Sequence, residues 1–342
     1  MTPKPPCVVI ADDLTGACDT GVHFAREGFP TFVTFGAPCA LEGPGGIPVI
    51  NTQSRSQAVV EAVARVERAA ASAPPGSLLY KKLDSTLFGH VAAELDAALR
   101  AGRRSSVVLA PAYPLLGRTV RDGTLYVNGE ARQAIAPLLG TTLKLVSTLD
   151  AALAEPGSVF LPDAATTEEL RTIAQSAVEY RDRLVLAGSG GLARELAALL
   201  AAHTRIAPHA TPALPGRTGH VVVFAGSHNP VTVSQVERIR ATRRLDCRVR
   251  TIRLSEGTRH KEIWRRMAVN ARAILFCGGE SAQLVCGTLG VTGISLAAEI
   301  LPGVPWGTLS GGCCDGVPVA TKAGGFGHPD CLLEVARFFL EP

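Results

Sequence analysis

The stretch that decides the fold is residues 7–19, Cys-Val-Val-Ile-Ala-Asp-Asp-Leu-Thr-Gly-Ala-Cys-Asp. Its apolar start predicts a buried strand, and a helix-like stretch follows through Arg26. The strand ends on Asp12 and Asp13, at the point where open α/β sheets place their ligands. Two carboxylates there could bind Mg²⁺, deprotonate a hydroxyl, or both. The alternative is that one of them only caps the helix, which needs a single acceptor.

The composition predicts about two α/β domains. Of the 342 residues, 46% are hydrophobic and only 5% aromatic, as is common around parallel sheets. The formal charge of +4 argues against a broad nucleic-acid-binding face. Nine cysteines without a Cys-x-x-Cys pair predict reduced thiols in a cytoplasmic protein. No secretory leader and no apolar run of membrane-spanning length is evident, so we expect no membrane partner.

Strand-like and helical runs alternate along the chain, which predicts parallel or mixed sheets flanked by helices. The predicted strands are Val8–Ala11, Thr31–Phe35, Leu78–Lys81, Val107–Pro111, Val159–Leu161, Leu184–Ala187 and a run from His220. The predicted helices include Gln57–Ala71, Val91–Arg100, Thr167–Tyr180 and Leu192–Ala202. A stretch rich in proline and glycine interrupts the alternation. We therefore predict a first domain over 1–204, a linker over 205–218 and a second domain over 219–342.

A second polar strand end lies in residues 78–90, Leu-Leu-Tyr-Lys-Lys-Leu-Asp-Ser-Thr-Leu-Phe-Gly-His. Successive strand residues face opposite sides, so Lys81 and Lys82 cannot both face one ligand. We expect one to face the ligand and the other a carboxylate or solvent. Asp84, Ser85 and Thr86 suit a polyhydroxylated or anionic ligand, or else they cap a helix beside solvated lysines.

Three further loops also follow strand-like runs. Residues 51–56 contain Ser54 and Arg55, and this arginine could bind a carboxylate through two hydrogen bonds. Residues 111–119 contain Arg118. The turn at 187–192, Ala-Gly-Ser-Gly-Gly-Leu, could hold a phosphate or could simply allow close packing of a helix on a strand. Together these loops predict an anion-binding cleft.

The second half carries three glycine-bearing turns after predicted strands, in residues 224–232, 276–282 and 320–329. Their backbone N–H groups could approach a polyphosphate, and Lys322 could add positive charge. Glu280 could hold Mg²⁺ or a ribose hydroxyl, or it could cap its own helix. The spacing of neither a P-loop nor a dinucleotide fingerprint is present, so the residues alone predict an anion or nucleotide site of unspecified type.

These segments, in their order and spacing, resemble the four-carbon acid sugar kinase family over nearly the whole chain. The matching segments are 11–17, 81–87, 110–119, 128–129, 188–193, 226–227, 278–281 and 321–327. The resemblance implies a sugar-acid-binding N-terminal domain and a nucleotide-binding C-terminal domain, with ATP and a divalent metal meeting the substrate in the cleft between them. Family members phosphorylate a terminal hydroxyl of threonate, erythronate or 3-oxo-tetronates, and some relatives use branched sugar acids.

The residues and the resemblance together predict three sets of site residues, without assigning metal ligands. The catalytic candidates are Asp12 or Asp13, with Asp84 as the competitor. The predicted substrate-binding residues are Ser54, Arg55, Lys82, Ser85, Thr86 and Arg118. The predicted nucleotide-binding residues are Ser227, Gly278, Gly279, Glu280, Ser281, Lys322, Gly324 and Gly325.

The favoured mechanism is in-line phosphoryl transfer from ATP with Mg²⁺, in a chain that can form a homo-oligomer. A non-catalytic sugar-acid or nucleotide sensor is the main alternative, although a simple anion binder gains nothing from carboxylates facing its ligand. A dinucleotide-dependent dehydrogenase is less favoured because the fingerprint is missing.

Two features depart from the family pattern. Phe88 stands where family members commonly carry Arg, so this pocket is expected to favour a bulkier or less polar sugar acid. Alternatively, Phe88 packs against a helix and does not face the substrate. The stretch between Ser227 and Gly278 is also predicted to be shorter than in many relatives.

Overall fold

The computed structural model of the chain describes residues 4–35, 45–206, 213–242 and 245–341. The chain divides into two compact units, residues 1–208 (unit 1) and 209–342 (unit 2). Each unit contains a sheet flanked by helices, which confirms the α/β class. The linker at 205–218 stays a prediction, and its residues 207–212 lie outside the described residues.

Unit 1 is built on a parallel sheet of eight strands in the order β2-β3-β1-β4-β11-β5-β10-β9. The strands are β1 (Cys7–Ala11), β2 (Thr31–Phe35), β3 (Ile47–Asn51), β4 (Leu78–Lys82), β5 (Ser106–Ala110), β9 (Lys144–Val146), β10 (Ser158–Phe160) and β11 (Leu184–Gly188). Every residue of the central strands β1, β4, β5 and β11 is buried. Apolar side chains on both faces of these strands are what a sheet covered by helices requires.

The helices of unit 1 follow its strands in the chain. They are α1 (Leu14–Arg26), α2 (Val59–Ala71), α3 (Val91–Gly102), α4 (Ala136–Leu139), α5 (Leu149–Ala154), α6 (Thr167–Glu179) and α7 (Gly190–Thr204). Helix α1 begins directly after the acidic pair, so the first turn of this helix lies beside the carboxyl end of β1.

A small antiparallel sheet of β6 (Arg118–Arg121), β7 (Thr124–Val127) and β8 (Glu130–Ala134) extends from unit 1. Its two turns are Asp122-Gly123 and Asn128-Gly129, and all four residues have positive φ angles. Asp-Gly and Asn-Gly pairs are strong signals for two-residue hairpins. The sequence analysis predicted no strands here, although these two pairs were a usable signal.

Unit 2 has a mixed sheet in the order β13-β12-β14-β17-β16-β15. Its strands are β12 (His220–Ala225), β13 (Cys247–Thr251), β14 (Ala271–Cys277), β15 (Gly293–Leu301), β16 (Val304–Ser310) and β17 (Pro318–Lys322). Its helices are α8 (Pro230–Ala241), α9 (Lys261–Val269), α10 (Gly279–Leu289) and α11 (Cys331–Leu340). Strands β13, β12, β14 and β17 are mutually parallel, whereas β16 pairs antiparallel with both of its neighbours. The carboxyl ends of β12, β14 and β17 therefore lie side by side.

The described cysteines are all free thiols. Burial raises the pKa of the Cys277 thiol to about 12, so this group stays protonated and packs as a small apolar side chain. Among the described residues, no helix combines the length and the apolar character needed to cross a bilayer.

Candidate active site

The candidate site of unit 1 forms where three neighbouring strands end. In the sheet register Ala11 of β1 lies beside Asn51 of β3 on one side and Lys82 of β4 on the other. The loops that follow these strands carry the acidic pair, Arg55 and Asp84. Residues separated by more than 40 positions in sequence are thereby brought to one edge of the sheet.

Arg55 lies at the centre of this site and contacts three carboxylates. Its Nε and Nη2 donate to the two oxygens of Asp12, both at 2.8 Å. Nη2 also lies 2.9 Å from Asp13 Oδ1, and Nη1 lies 3.5 Å from Asp84 Oδ2. We call these four residues the carboxylate cluster. The structure thus brings together all three catalytic candidates and one predicted substrate-binding residue.

The electrostatics of the cluster keep Asp12 ionised. Burial alone would raise the pKa of this carboxyl, but the positive charges of Arg55, Lys81 and Lys82 outweigh it and hold the pKa well below its usual range. Burial likewise opposes the charge of Arg55, yet Asp13, Asp12 and Asp84 raise the pKa of the guanidinium well above its ordinary value. The Asp12–Arg55 contact is therefore a fixed, two-pronged ion pair.

Asp13 is the N-cap of α1. Its Oδ1 accepts from Gly16 N at 3.0 Å, and its Oδ2 accepts from the Thr15 hydroxyl at 2.6 Å. A methyl group added to Gly16 would lie 2.5 Å from Asp13 Oδ1 and 2.9 Å from Lys82 Nζ. Both side chains therefore pack tightly against Gly16. Asp13 therefore caps α1, although it does not only cap the helix, because it also contacts Arg55.

Asp84 is the most accessible carboxylate of the cluster, with 26% of its side chain exposed against 4% for Asp12. Its Oδ1 accepts from the backbone N and the hydroxyl of Thr86, which leaves Oδ2 towards Arg55. Ser85 is buried beside it. Burial lowers the pKa of Arg118, whereas the negative charge of Asp84 acts in the opposite direction. The negative charge of Asp84 therefore acts on the guanidinium of Arg118.

The two lysines of β4 point in opposite directions, as the strand alternation predicted. Lys81 is fully buried and forms an ion pair of 2.7 Å with Glu94 of α3. Lys82 is nearly buried, and its Nζ donates to Leu83 O at 2.7 Å beside Gly16. Only Lys82 therefore reaches the side of the sheet where α1 begins.

Ser54 and Phe88 occupy unlike surroundings next to the cluster. Ser54 is fully buried; its hydroxyl bonds the Thr52 hydroxyl at 2.8 Å, and its backbone N donates to Asp12 O at 3.0 Å. This side chain stabilises the loop that carries Arg55. Phe88 is 69% exposed. It precedes Gly89, where an added Cβ would lie 3.5 Å from both Arg55 Cγ and Asp12 Oδ2. The alternative that Phe88 packs against a helix is wrong.

The glycine-rich turn before α7 serves packing. A Cβ on Gly190 would lie 2.6 Å from Asp19 Oδ2, and a Cβ on Gly191 would lie 2.7 Å from Ala112 O. Neighbouring side chains and backbone already fill the space above these glycines. Of the two alternatives for this turn, the structure supports the close packing of helix against strand.

The glycine turns of unit 2 meet at the carboxyl ends of β12, β14 and β17. A Cβ on Gly226 would collide with the Ser281 side chain, and a Cβ on Gly324 would collide with the Ser227 hydroxyl. Gly278 has φ +105°, and a Cβ there would lie 3.3 Å from Ser227 N. The turns can approach one another this closely because these three positions have no side chain.

Lys322 lies beneath these turns and is fully buried. Its Nζ donates to Ala323 O at 2.9 Å, to Phe326 O at 3.0 Å and to the Thr232 hydroxyl at 3.1 Å. Burial lowers the pKa of its ammonium. The side chain therefore fixes the third glycine turn from inside. That its charge also neutralises bound phosphates stays a prediction.

The amino terminus of α10 presents the open groups of this second site. Gly279, Glu280 and Ser281 form its first turn, where backbone N–H groups have no acceptor within the helix. The carboxylate of Glu280 is exposed, whereas the Ser281 hydroxyl donates to Gly278 O at 3.1 Å. Gly325 lies beside the side-chain amide of Asn229: a Cβ added to this glycine would lie 3.3 Å from Asn229 Nδ2. The predicted nucleotide-binding residues of unit 2 thus lie on adjacent turns.

One family model matches part of each unit. Residues 7–144 match the family model of a sugar-binding N-terminal domain, and residues 260–332 match that of a nucleotide-binding C-terminal domain. The first match contains the carboxylate cluster, and the second contains two of the three glycine turns.

Three curated relatives are similar over 97% of this chain. D-threonate kinase of Bordetella bronchiseptica is 31% identical, and the match covers 97% of that protein. D-erythronate kinase of Heliobacterium modesticaldum is 27% identical with 97% of its length covered. 3-oxo-tetronate kinase of Haemophilus influenzae is 25% identical with 99% covered. The alignment with the Bordetella protein spans 395 positions against 342 residues here, so that protein has residues without a counterpart in this chain. That the stretch between Ser227 and Gly278 is shorter here stays a prediction.

Two solved structures resemble the fold. A Salmonella typhimurium protein described as a putative tRNA synthase matches with a TM-score of 0.75 at 22% identity, covering 97% of this chain and 99% of that one. A Bordetella bronchiseptica protein, crystallised with citrate as a domain-swapped dimer, matches with a TM-score of 0.51 at 30% identity, covering 99% of each chain. Both domain models and relatives along almost the whole length agree, and the chain therefore belongs to the four-carbon acid sugar kinase family.

Proposed function

We propose that this protein is an ATP-dependent, Mg²⁺-requiring kinase that phosphorylates a terminal hydroxyl of a small sugar acid in the cytoplasm. The observation that carries the proposal is the location of the two domain matches. The sugar-binding match includes the carboxylate cluster, and the nucleotide-binding match includes the start of α10 with its open amides. The names of the curated relatives support the reaction class.

In unit 1 we assign the contact with the reacting hydroxyl to Asp84. Asp84 has the most exposed side chain of the three carboxylates, and its Oδ2 lies 3.5 Å from Arg55 Nη1. Asp12 is almost fully engaged by Arg55, and Asp13 is engaged by the helix start. Asp12 and Asp13 then act by positioning Arg55. This assignment reverses the order of preference drawn from the sequence.

The carboxylate of the sugar acid is assigned to the positive groups around Asp84. Arg55 keeps 18% of its side chain exposed, and its longest carboxylate contact is that of Nη1 with Asp84, so we assign the ligand carboxylate to this end of the guanidinium. Lys82 ends β4 and Arg118 begins β6, and the hydroxyl of Thr86 donates to Asp84. A guanidinium and an ammonium with neighbouring hydroxyls match a ligand that carries one carboxylate and several hydroxyl groups.

In unit 2 the triphosphate is assigned to the first turn of α10 and to the turns at Ser227 and Gly324–Gly325. Anions bind at helix amino termini because N–H donors and the helix dipole both favour them. Among the described residues, no group of three or more His, Cys, Asp or Glu side chains could hold a metal ion. Mg²⁺ in kinases is held by one or two carboxylates and by the phosphates, and Glu280 is the exposed carboxylate that fits this need. When bound, the ion would neutralise charge on the phosphates.

Phosphoryl transfer requires mainly positioning and charge neutralisation, since its transition state is loose. Asp84 orients the hydroxyl and accepts its proton, while Arg55 limits the repulsion among three carboxylates. We also infer that the chain can form a homo-oligomer, which the domain-swapped dimer of the Bordetella structure supports.

The proposal is tested by coupled detection of ADP release with the full-length protein, ATP and Mg²⁺. The acceptor panel contains D-threonate, D-erythronate, a 3-oxo-tetronate and a branched sugar acid. We expect turnover with at least one acceptor, and loss of turnover when Mg²⁺ is chelated. Tight binding of a sugar acid or of ATP without any turnover would favour the sensor alternative.

A further inference from the structure

A basic pocket lies at the end of unit 2 away from the glycine turns. It has a volume of about 680 Å³, and its wall comes from the segment before β12, the start of β13 and the end of α9. His220, at its edge, begins β12, whereas the glycine turn follows Ala225 at the other end of this strand. The strand separates the two places by roughly 17 Å, at about 3.3 Å per residue. The pocket is therefore distinct from the site assigned to the nucleotide.

The charged residues that line the pocket are three arginines: Arg217, Arg248 and Arg266. The wall contains no carboxylate, and the described residues show no ion pair for any of these arginines. Residues 209–342 hold 15 Lys and Arg against 10 Asp and Glu, a net charge of +5 in a chain of +4. The excess positive charge of the protein is thus carried by unit 2, and three of its charges converge here.

Helix packing accounts for only part of this arrangement. Arg217 donates to Ala271 O at 3.2 Å and to Val269 O at 3.5 Å, which caps the end of α9. Arg266, in the last turn of α9, also offsets the helix dipole. Neither explanation covers Arg248, which projects from β13. Three guanidinium groups around one cavity repel one another, and a bound anion would relieve that repulsion.

The backbone that forms the wall of the pocket is closely packed. Gly219 has φ +111°, and a Cβ there would lie 2.5 Å from Asn270 O, so the segment before β12 packs directly on the end of α9. His220 is 8% exposed, and its Nε2 has no hydrogen-bond partner among the described residues. Burial and the charge of Arg248 lower the pKa of this imidazole, whereas the nearby carboxylate of Asp246 acts in the opposite direction. The pocket therefore combines fixed backbone, three cations and a polar ring with an unused nitrogen.

We propose that this pocket binds a small phosphate-bearing anion with two or more negative charges, as a site additional to the kinase site. Guanidinium groups recognise phosphate through paired hydrogen bonds, and several of them match a multiply charged group better than a single carboxylate. The proposal does not depend on the kinase function, because it rests on residues outside both assigned sites.

The test is calorimetric titration of the full-length protein with inorganic pyrophosphate, in the presence of a saturating non-hydrolysable ATP analogue. Wild type is compared with Arg248→Gln/Arg266→Gln and with the matched double variant Arg259→Gln/Arg265→Gln. The matched variant removes the same charge from exposed arginines outside the pocket. We expect one site per chain, at least about tenfold weaker binding in the pocket variant, and a change within about twofold in the matched variant.

A second variant, Thr218→Glu, adds a negative charge to the exposed part of the wall and should also weaken pyrophosphate binding by about tenfold or more. Equal weakening in both double variants would overturn the proposal, because it would show a general charge effect. Absence of binding at millimolar pyrophosphate, or unchanged binding in the pocket and Thr218→Glu variants, would also overturn it.

Discussion

The two units build their candidate sites from different materials. In unit 1, three carboxylates lie within 3.5 Å of the guanidinium of Arg55. In unit 2, glycine turns and helix amides meet, and the one lysine of the site is turned inward. A sugar acid presents hydroxyls and a carboxylate, which charged side chains can distinguish. A phosphate chain presents many similar oxygens, and backbone N–H groups can bind several of them at once.

Because of this difference, we expect the two sites to respond to different kinds of substitution. The site in unit 1 should lose activity or stability when a substitution removes a charge but preserves the shape of the side chain. The site in unit 2 should fail when volume is added at constant charge. Five predictions follow, beginning with the largest expected effect; four test this contrast, and one tests the pH dependence of the stability of unit 1.

Asp84→Asn removes one charge and preserves shape, and we expect kcat to fall by at least roughly 10²-fold. Asp13→Asn should cost much less, because asparagine is also a good N-cap. Asp96→Asn, in a surface pair with Arg100, is the control. Steady-state kinetics decides the matter, and near-normal turnover of Asp84→Asn would remove this residue from the mechanism.

Arg55→Gln leaves three carboxylates without their common cation. We expect the free energy of unfolding to fall by about 2–3 kcal/mol, because like charges then remain close together in a largely buried place. Arg238→Gln breaks a single exposed pair with Asp330 and should change stability by less than about 0.5 kcal/mol. Urea unfolding of both variants measures this, and equal losses would contradict the central role of Arg55.

Phe88→Arg introduces, at an exposed position beside the cluster, the charge that the sequence analysis expects in family members. A regained charged contact is worth on the order of 1.5–3 kcal/mol, or roughly ten- to a hundredfold in kcat/KM towards the straight-chain acids. The acceptor panel gives the ranking before and after the change. An unchanged ranking would mean that residue 88 does not contact the substrate.

Acid should destabilise unit 1 through His23. Burial, together with the charges of Arg26 and Arg194, lowers the pKa of His23 to about 3. The unfolded chain therefore binds a proton below about pH 6.5 that the folded chain refuses, so stability falls as the pH falls. Between pH 7.5 and 5 this amounts to about 2 kcal/mol. The lowered pKa of Asp12 adds stability that is lost only below about pH 3.9, outside this range.

The pH effect is measured as the difference in unfolding free energy at pH 7.5 and 5 for wild type and His23→Gln. The variant should show the smaller difference, and His203→Gln, at an exposed site on α7, should behave as wild type. Identical pH dependence in all three proteins would refute the assignment to His23.

Gly226→Ala adds a methyl group that meets the Ser281 side chain, and we expect the KM for ATP to rise by about tenfold. Ser281→Ala should matter less, since it removes a hydroxyl without adding volume. Gly287→Ala in α10 has no atom within 4 Å of the new methyl group and should stabilise the protein by about 0.5–1 kcal/mol. If Ser281→Ala proved the more damaging change, unit 2 would also depend on side chains.

The order of strands and helices was largely readable from sequence because hydrophobic periodicity is a local property. The predicted strand Thr31–Phe35 has the observed bounds, and α2 and α6 begin or end within two residues of their predicted positions. The sheet β6–β8 was missed because its strands are short and partly exposed, so its signal lay in the Asp-Gly and Asn-Gly turns.

The sequence by itself determined the α/β class, the family and the residues that gather at the strand ends. Only the tertiary structure decided how those residues divide their work: Arg55 pairs with three carboxylates, Asp13 caps a helix, and Lys322 turns inward. The basic pocket was likewise invisible, since Arg217, Arg248 and Arg266 are spread over 50 positions. The physical reason is that strand and helix propensities act between near neighbours, whereas ion pairs and cavities depend on which strand ends lie side by side.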